Sequence, residues 1–118
     1  MWEVEFTDEF GRWWRSLSED QQGVIDRSVG VLRASGPALG RPRVDTLKGS
    51  RHANLKELRV QHLGHPLRVF FAFDPRRAAI LLIGGDKTGD ERFYDRMIPV
   101  ADDLYDVYLA ELRKEGLV

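Results

Sequence analysis

Residues 55–87 read LKELRVQHLGHPLRVFFAFDPRRAAILLIGGDK, and the fold turns on them. Leu58 and Val60 alternate with Glu57 and Arg59, and Leu67, Val69, Phe71 and Phe73 alternate with Arg68, the period of two that marks half-buried strands. A turn at Leu63-Gly64 sets Arg59 directly across from Arg68, because opposed residues of an antiparallel pair share a face. Asp74-Pro75-Arg76-Arg77 places proline where a type I turn accepts it. The run that follows, Ala78 to Ile83, is apolar on both faces (Ile80 and Leu82; Leu81 and Ile83), which predicts a central strand covered on both sides. The stretch therefore predicts an antiparallel meander with one apolar face and one arginine-bearing face. Phe70, Leu81 and Ile83 are expected on the arginine face, so part of it needs a cover and the rest forms a basic cleft.

Working upstream, Trp2, Val4 and Phe6 alternate with Glu3 and Glu5, which predicts a half-buried first strand. Thr7 is an N-cap with Asp8 and Glu9 in the first turn, and Phe10, Trp13, Trp14 and Leu17 form one helical stripe. That stripe accounts for the two tryptophans as core rather than as a base-stacking platform. Ser18 and Gln21 have capping-box spacing, so a second helix starts there with Val24, Ile25, Ser28, Val31 and Leu32 inward. Ser35-Gly36-Pro37 ends it. Residues 36–54 are irregular and basic, with a short edge strand at Val44 to Leu47.

Downstream, the glycines of Gly84-Gly85-Asp86-Lys87-Thr88-Gly89 are read as letting backbone and Lys87 approach a ligand. The spacing is wrong for a Walker A loop, which excludes that mode of nucleoside triphosphate binding. Pro99 suits the first position of a helix, so residues 90–97 are expected as a separate helical turn before a helix from Pro99 to Lys114. Its stripe of Ala101, Leu104, Tyr105, Tyr108, Leu109 and Leu112 covers the second side of the sheet. The fold class is α+β in one domain, 1–118: an N-terminal strand and helical hairpin packed on an antiparallel sheet, with a C-terminal helix.

Composition narrows the function. There is no cysteine, which removes disulfides, thiol nucleophiles and cysteine zinc sites and suits the cytoplasm. No window is apolar enough to span a membrane, and the acidic start MWEVEFTDEF is not a signal peptide. Net charge is −1, yet residues 41–88 hold ten basic and four acidic side chains, and both flanks are acidic. A basic centre in a neutral chain points to a local anion site.

Arg59 opposite Arg68 is the sharpest candidate, since like charges opposed on a sheet are destabilising unless something lies between them. A phosphate does this, matching arginine geometry; alternatively, Glu57 and Asp86 neutralise the pair. Lys87 follows the central strand. Tyr94 reads as a general acid/base, a base-stacking ring, or a residue packing the sheet edge. His62 and His65 flank a turn without a third ligand, so no metal and no cofactor are expected.

In this order, the L-x-E-L-R strand (Leu55, Glu57, Leu58, Arg59), the R-x-x-F-x-F strand (Arg68, Phe71, Phe73) and Lys87 resemble the RelE/HigB/ParE superfamily of type II toxin–antitoxin toxins, in its HigB-like, phage-derived branch. The likeness runs on through AAILLIGGDKTGDERFYDRMIPVADDLYDVYL and covers nearly the whole chain. The resemblance implies a RelE-like fold and a metal-independent, ribosome-dependent mRNA endonuclease that uses 2′-hydroxyl attack on the adjacent phosphate. By position it implies Arg59 and Arg68 on the scissile phosphate, Lys87 adding charge or protonating the leaving oxygen, and Tyr94 orienting the base or sharing proton transfer. It implies RNA-backbone contacts from Lys48, Arg51, Lys56, Arg76 and Arg77. The partners implied are a helix-turn-helix antitoxin, the ribosome and mRNA, with operator DNA reached only through the antitoxin complex and no membrane. The chain departs from the pattern in its net acidity, its single lysine after the last strand and its lack of a histidine there. The ParE branch of the same superfold inhibits DNA gyrase without catalysis, and an inactive remnant acting only in antitoxin binding and operon control is the third reading.

Overall fold

The computed structural model describes residues 1–118. The order is β1 (Glu3–Phe6), α1 (Asp8–Ser16), α2 (Glu19–Ser35), a 3-10 turn (Gly36–Ala38), β2 (Val44–Thr46), β3 (Lys56–His62), β4 (His65–Phe73), β5 (Ala78–Asp86) and α3 (Phe93–Lys114). The strands form one sheet in the order β1-β5-β4-β3-β2. β2 to β5 pair as antiparallel neighbours, and β1 lies parallel beside β5 at the edge.

Local signals fix the helices as expected. Thr7 Oγ1 accepts the Phe10 N–H at 3.0 Å, and Ser18 and Gln21 form a reciprocal capping box. α2 turns Ile25, Val29 and Leu32 fully inward, while Val24, Ser28 and Val31 sit half-buried at its margin. Its end needs Gly36 twice over: φ is +59°, and a Cβ there would stand 2.2 Å from Trp2 Nε1.

Each face of the sheet has its own core. Phe10, Ile25, Val29 and Leu32 pack on Leu58, Val60, Leu67, Val69 and Phe71 on one side. Phe93, Met97, Ile98, Ala101 and Tyr105 pack on Leu55, Phe70, Ala72, Ile80 and Leu82 on the other. Phe70 and Phe71 are wholly buried, each contributing about 1.5–3 kcal/mol.

Four expectations are corrected. The C-terminal helix is continuous from Phe93, with Pro99 inside it rather than at its start. Proline there removes the N–H that would bond the Asp95 carbonyl; the unbroken stripe of Phe93, Met97, Ile98, Ala101 and Tyr105 buried on the sheet outweighs that loss. Leu81 lies on the hairpin side, away from Ile83, because a bulge between Phe70 and Phe71 pairs them with Ile83 and Leu81 and shifts parity at Leu82. Phe6 is 63% exposed, since the edge position of β1 leaves its outer side uncovered. Finally, Gly84 and Gly85 serve packing: a Cβ on Gly84 would meet Trp13 at 2.2 Å, and one on Gly85 would meet Phe93 at 2.8 Å. Each glycine lets a helix close on one face of the sheet.

Candidate functional site

The two-residue turn has positive φ at both Leu63 (49°) and Gly64 (81°), the type I′ geometry that matches strand twist. It fixes the register that makes Arg59 and Arg68 cross-strand partners, as the alternation requires. Both arginines face α3. The close seat of Phe93 over Gly85 brings the first turn of α3, and with it Tyr94, onto this face.

Glu57 is the centre of the arrangement. It is 3% exposed. Arg59 Nε donates to its Oε1 at 2.8 Å, and Arg68 Nε stands 4.0 Å from its Oε2. That Oε2 is buried and has no hydrogen-bond partner. Asp45, the cross-strand partner of Glu57, accepts from Arg59 Nη2 and from Arg41 Nε, each at 3.2 Å. The hydrogen bond to Glu57, above all, raises the Arg59 guanidinium further above its ordinary value. Glu57 thus neutralises the arginines, as one of the two sequence readings has it, whereas Asp86 does not. Asp86 instead accepts from Thr88 N at 2.9 Å and meets His65 Nδ1 at 2.7 Å.

The side chains differ in access. Arg59 is about a third exposed, while Arg68 is 11% exposed and lies behind Tyr94. Arg68 Nε donates to Tyr94 Oη at 3.4 Å, and the Tyr94 ring stacks on Phe70. Lys87 Nζ stands 5.2 Å from the centroid of the Tyr94 ring, a cation–π contact. Burial, and then the nearby Glu57 carboxylate, push the Tyr94 phenol above its ordinary value against the opposing pull of Arg68. Asp45, Lys48, Glu57, Arg59, Lys87 and Tyr94 line one cleft of about 470 Å³ between β2, β3 and the start of α3. Chemically it offers two ammonium groups, a guanidinium and a protonated phenol, with the Glu57 Oε2 oxygen buried behind them.

The other predicted RNA contacts lie elsewhere. Arg51 is held by Asp102, Asp103 and Asp106 of α3, and its neighbour His52 meets Asp106 at 2.6 Å. Lys56 takes the opposite face of β3 by alternation, 3.3 Å from Thr46 Oγ1. Arg76 and Arg77 are in the β4–β5 turn at the far end of the sheet. Arg76 is engaged by Asp74, Glu5 and Tyr108, and Arg77 lies 4.9 Å from the Trp2 ring centroid. His62 and His65 are cross-strand partners at the hairpin tip; Asp86 meets His65, but no set of three possible metal ligands gathers there. The sequence reading named Glu57 only as a neutraliser of the arginines, paired it with Asp86, and missed Asp45 as a member of the site. The signal was parity, since Glu57 alternates onto the face of Arg59.

A family description, Phage derived protein Gp49-like (DUF891), matches residues 12–106. Two Mycobacterium tuberculosis proteins named as toxins are similar. HigB3 is 45% identical over 84% of this chain and 86% of its own length, and HigB2 is 43% identical over 84% of this chain and half of its own length. Among solved structures, the isolated Escherichia coli RelE toxin matches with TM-score 0.58 at 10% identity, covering 82% of this chain and 96% of RelE. An archaeal RelE–RelB complex from Pyrococcus horikoshii matches with TM-score 0.53 at 17% identity, covering 73% and 94%. At such identities the structural likeness carries the fold, and the HigB likeness carries the family. No helix is long and apolar enough to cross a membrane. With its Gp49-like sequence, HigB relatives and RelE-like fold, the chain belongs to the RelE/HigB superfamily of toxin–antitoxin toxins.

Proposed function

We propose that this toxin is a metal-independent, ribosome-dependent mRNA endonuclease that inhibits translation and is neutralised by a helix-turn-helix antitoxin. The observation that carries the reading is the cleft itself: Arg59, Lys48 and Lys87 converge beside Tyr94 and a buried carboxylate oxygen without a partner. In the step proposed, a ribose 2′-oxygen attacks the adjacent phosphorus, the bond from phosphorus to the 5′-oxygen breaks, and a 2′,3′-cyclic phosphate forms. The 2′-hydroxyl proton passes to water at the open mouth of the cleft, since Glu57 Oε2 is sealed behind the arginines. Lys87 or Tyr94 supplies a proton to the departing 5′-oxygen, and Arg59 stabilises the charge that grows on the phosphate. Arg68, set behind Tyr94, acts as a positioning residue for that phenol and for Glu57. Lys48 holds the messenger backbone at the rim of the cleft. The ribosome supplies the substrate, and operator DNA is reached only with the antitoxin.

The neutralisation of the arginines by Glu57 favours a second reading, a non-enzymatic inhibitor of a protein target such as gyrase. Induction of wild type and Arg59→Ala/Lys87→Ala in cells, with mapping of mRNA 5′ ends, separates them. Codon-phased cuts with wild type and none with the variant are expected. Growth arrest without phased cuts overturns the nuclease, and equal cutting by both proteins overturns the assigned site.

A further inference from the structure

Building on the nuclease reading, we propose that the cleft continues past the edge of β3 into a second phosphate subsite, formed by Arg43 and Arg27, which binds the backbone of the same single-stranded RNA. The pairing of Val44 with Leu58 continues to Arg43, whose carbonyl accepts the Arg59 N–H at 2.7 Å. Arg59 in turn pairs with Arg68. Two strand positions and the turn residue just before β2 therefore carry arginine in one row, with neighbouring Cα atoms about 5 Å apart.

Charge along that row is uneven. Glu57 and Asp45 hold Arg59, Glu57 holds Arg68, and Asp45 is shared with Arg41 and the Thr46 N–H. Arg43 has no carboxylate, although it is next in the row. It lines a groove of about 450 Å³ between α2 and β3, together with Arg27, Ser28, Arg59 and Gln61. No acidic side chain lines this groove. Arg27 lies back across Gly23, its guanidinium unpaired. Arg59 lines both this groove and the Glu57 cleft, so the two meet at its side chain.

The lining also identifies the ligand. Val24, Val31 and Val60 floor the groove, while its rim of guanidinium groups, a hydroxyl and an amide suits phosphate and sugar, and no aromatic ring is there for a base to stack on. Contacts of this kind position a strand without reading its sequence. The groove accordingly takes the backbone flanking the nucleotide in the cleft.

The test uses the full chain and two uncleavable 2′-O-methyl RNA oligonucleotides, one of about three nucleotides and one of about nine, with affinity read by fluorescence anisotropy across salt. Arg27→Ala/Arg43→Ala is expected to bind the short probe as wild type does and the long probe more weakly. For the long probe its salt slope falls by about 1.4, at roughly 0.7 per lost contact, so that between about 50 and 200 mM salt wild type loses about sevenfold more affinity than the variant. Arg27→Lys/Arg43→Lys restores most of the slope. Arg113→Ala/Lys114→Ala, which removes two charges from the end of α3, leaves both probes unchanged.

Equal binding of the long probe by Arg27→Ala/Arg43→Ala and wild type overturns the subsite, as does equal weakening of both probes or no binding by wild type. Displacement of the long probe by poly-glutamate at matched charge overturns it in favour of an acidic protein segment. The nuclease reading is tested separately by Arg59→Ala, which must weaken both probes; if it weakens neither, that reading fails whatever Arg27 and Arg43 do.

Discussion

Replacing Glu57 by glutamine keeps volume and shape, removes the charge and turns one acceptor oxygen into an NH2 donor. In the native protein that charge sits 3% exposed between Arg59, at 2.8 Å, and Arg68, at 4.0 Å. The Arg59 share is discounted because its guanidinium is about a third exposed and water screens it. The Arg68 share is not, because that side chain is 11% exposed and would be left nearly buried opposite a like charge. Removing one partner of a buried pair costs about 3–5 kcal/mol, and a charged hydrogen bond about 1.5–3. With the long Arg68 distance and the exposed Arg59, about 3 kcal/mol is the expected loss for Glu57→Gln. For 118 residues the unfolding entropy is about 0.25 kcal/mol/K, so Tm falls by about 12 °C. Differential scanning calorimetry reads this directly. A second arm adds sulfate, which can bind the cleft side of Arg59 once its carboxylate partner is gone and should raise the Tm of Glu57→Gln more than that of wild type. A Tm within about 2 °C of wild type, or an equal response to sulfate, would refute the claim that Glu57 holds the arginines together.

Three further outcomes are expected. Gly84→Ala puts a methyl 2.2 Å from Trp13 Cζ3, so the indole must leave its seat; overpacking of this kind costs about 1–3 kcal/mol, visible as a lower Tm, and an unchanged Tm would show that Trp13 does not close on β5. Pro99→Ala, at an exposed position inside α3, restores the N–H for the Asp95 carbonyl and should raise denaturant stability by about 1–3 kcal/mol; a loss would mean the helix depends on its proline. Burial pushes the Asp74 carboxyl up, but the Tyr108 hydroxyl and the Arg76 side chain and backbone N–H outweigh it and hold it below the usual carboxylate range. A carboxyl depressed by folding contributes stability above its unfolded value, near 4, and loses that contribution as pH falls through the folded value. Urea midpoints should therefore drop on acidification below about pH 4, and Asp74→Asn should flatten that limb; the same acid slope in the variant would assign the effect to other groups.

What could be read in advance followed the strength of local patterning. β3 and β4 alternate strictly and are joined by a two-residue turn, so parity and register were both determined, and Arg59 meets Arg68 as expected. β5 is apolar throughout, and such a strand has no parity to read; its bulge, which turns Leu81 and Ile83 to opposite faces, is settled by packing between two helical layers. The parallel pairing of β1 rests on four residues that name no partner. Pro99 misled because a local preference for the helix start is worth less than the buried stripe that runs across it.

The hardest feature to read was the charge arrangement, because it is a property of rows rather than of strands. Asp45 and Glu57 form one cross-strand row, and Arg43, Arg59 and Arg68 form the next. Adjacent rows of opposite sign stabilise each other while the cleft is empty, and this reconciles a net charge of −1 with a local cluster of guanidinium groups. Asp45 stands two residues from Arg43, but its carboxylate bonds Arg41 and Arg59, and no ion pair reaches Arg43. An anion approaching the sheet therefore meets cations already partly compensated over the cleft and uncompensated at the β3 edge. On this argument the edge contributes more to holding an RNA backbone, and the compensated centre more to fixing the geometry of the reacting groups.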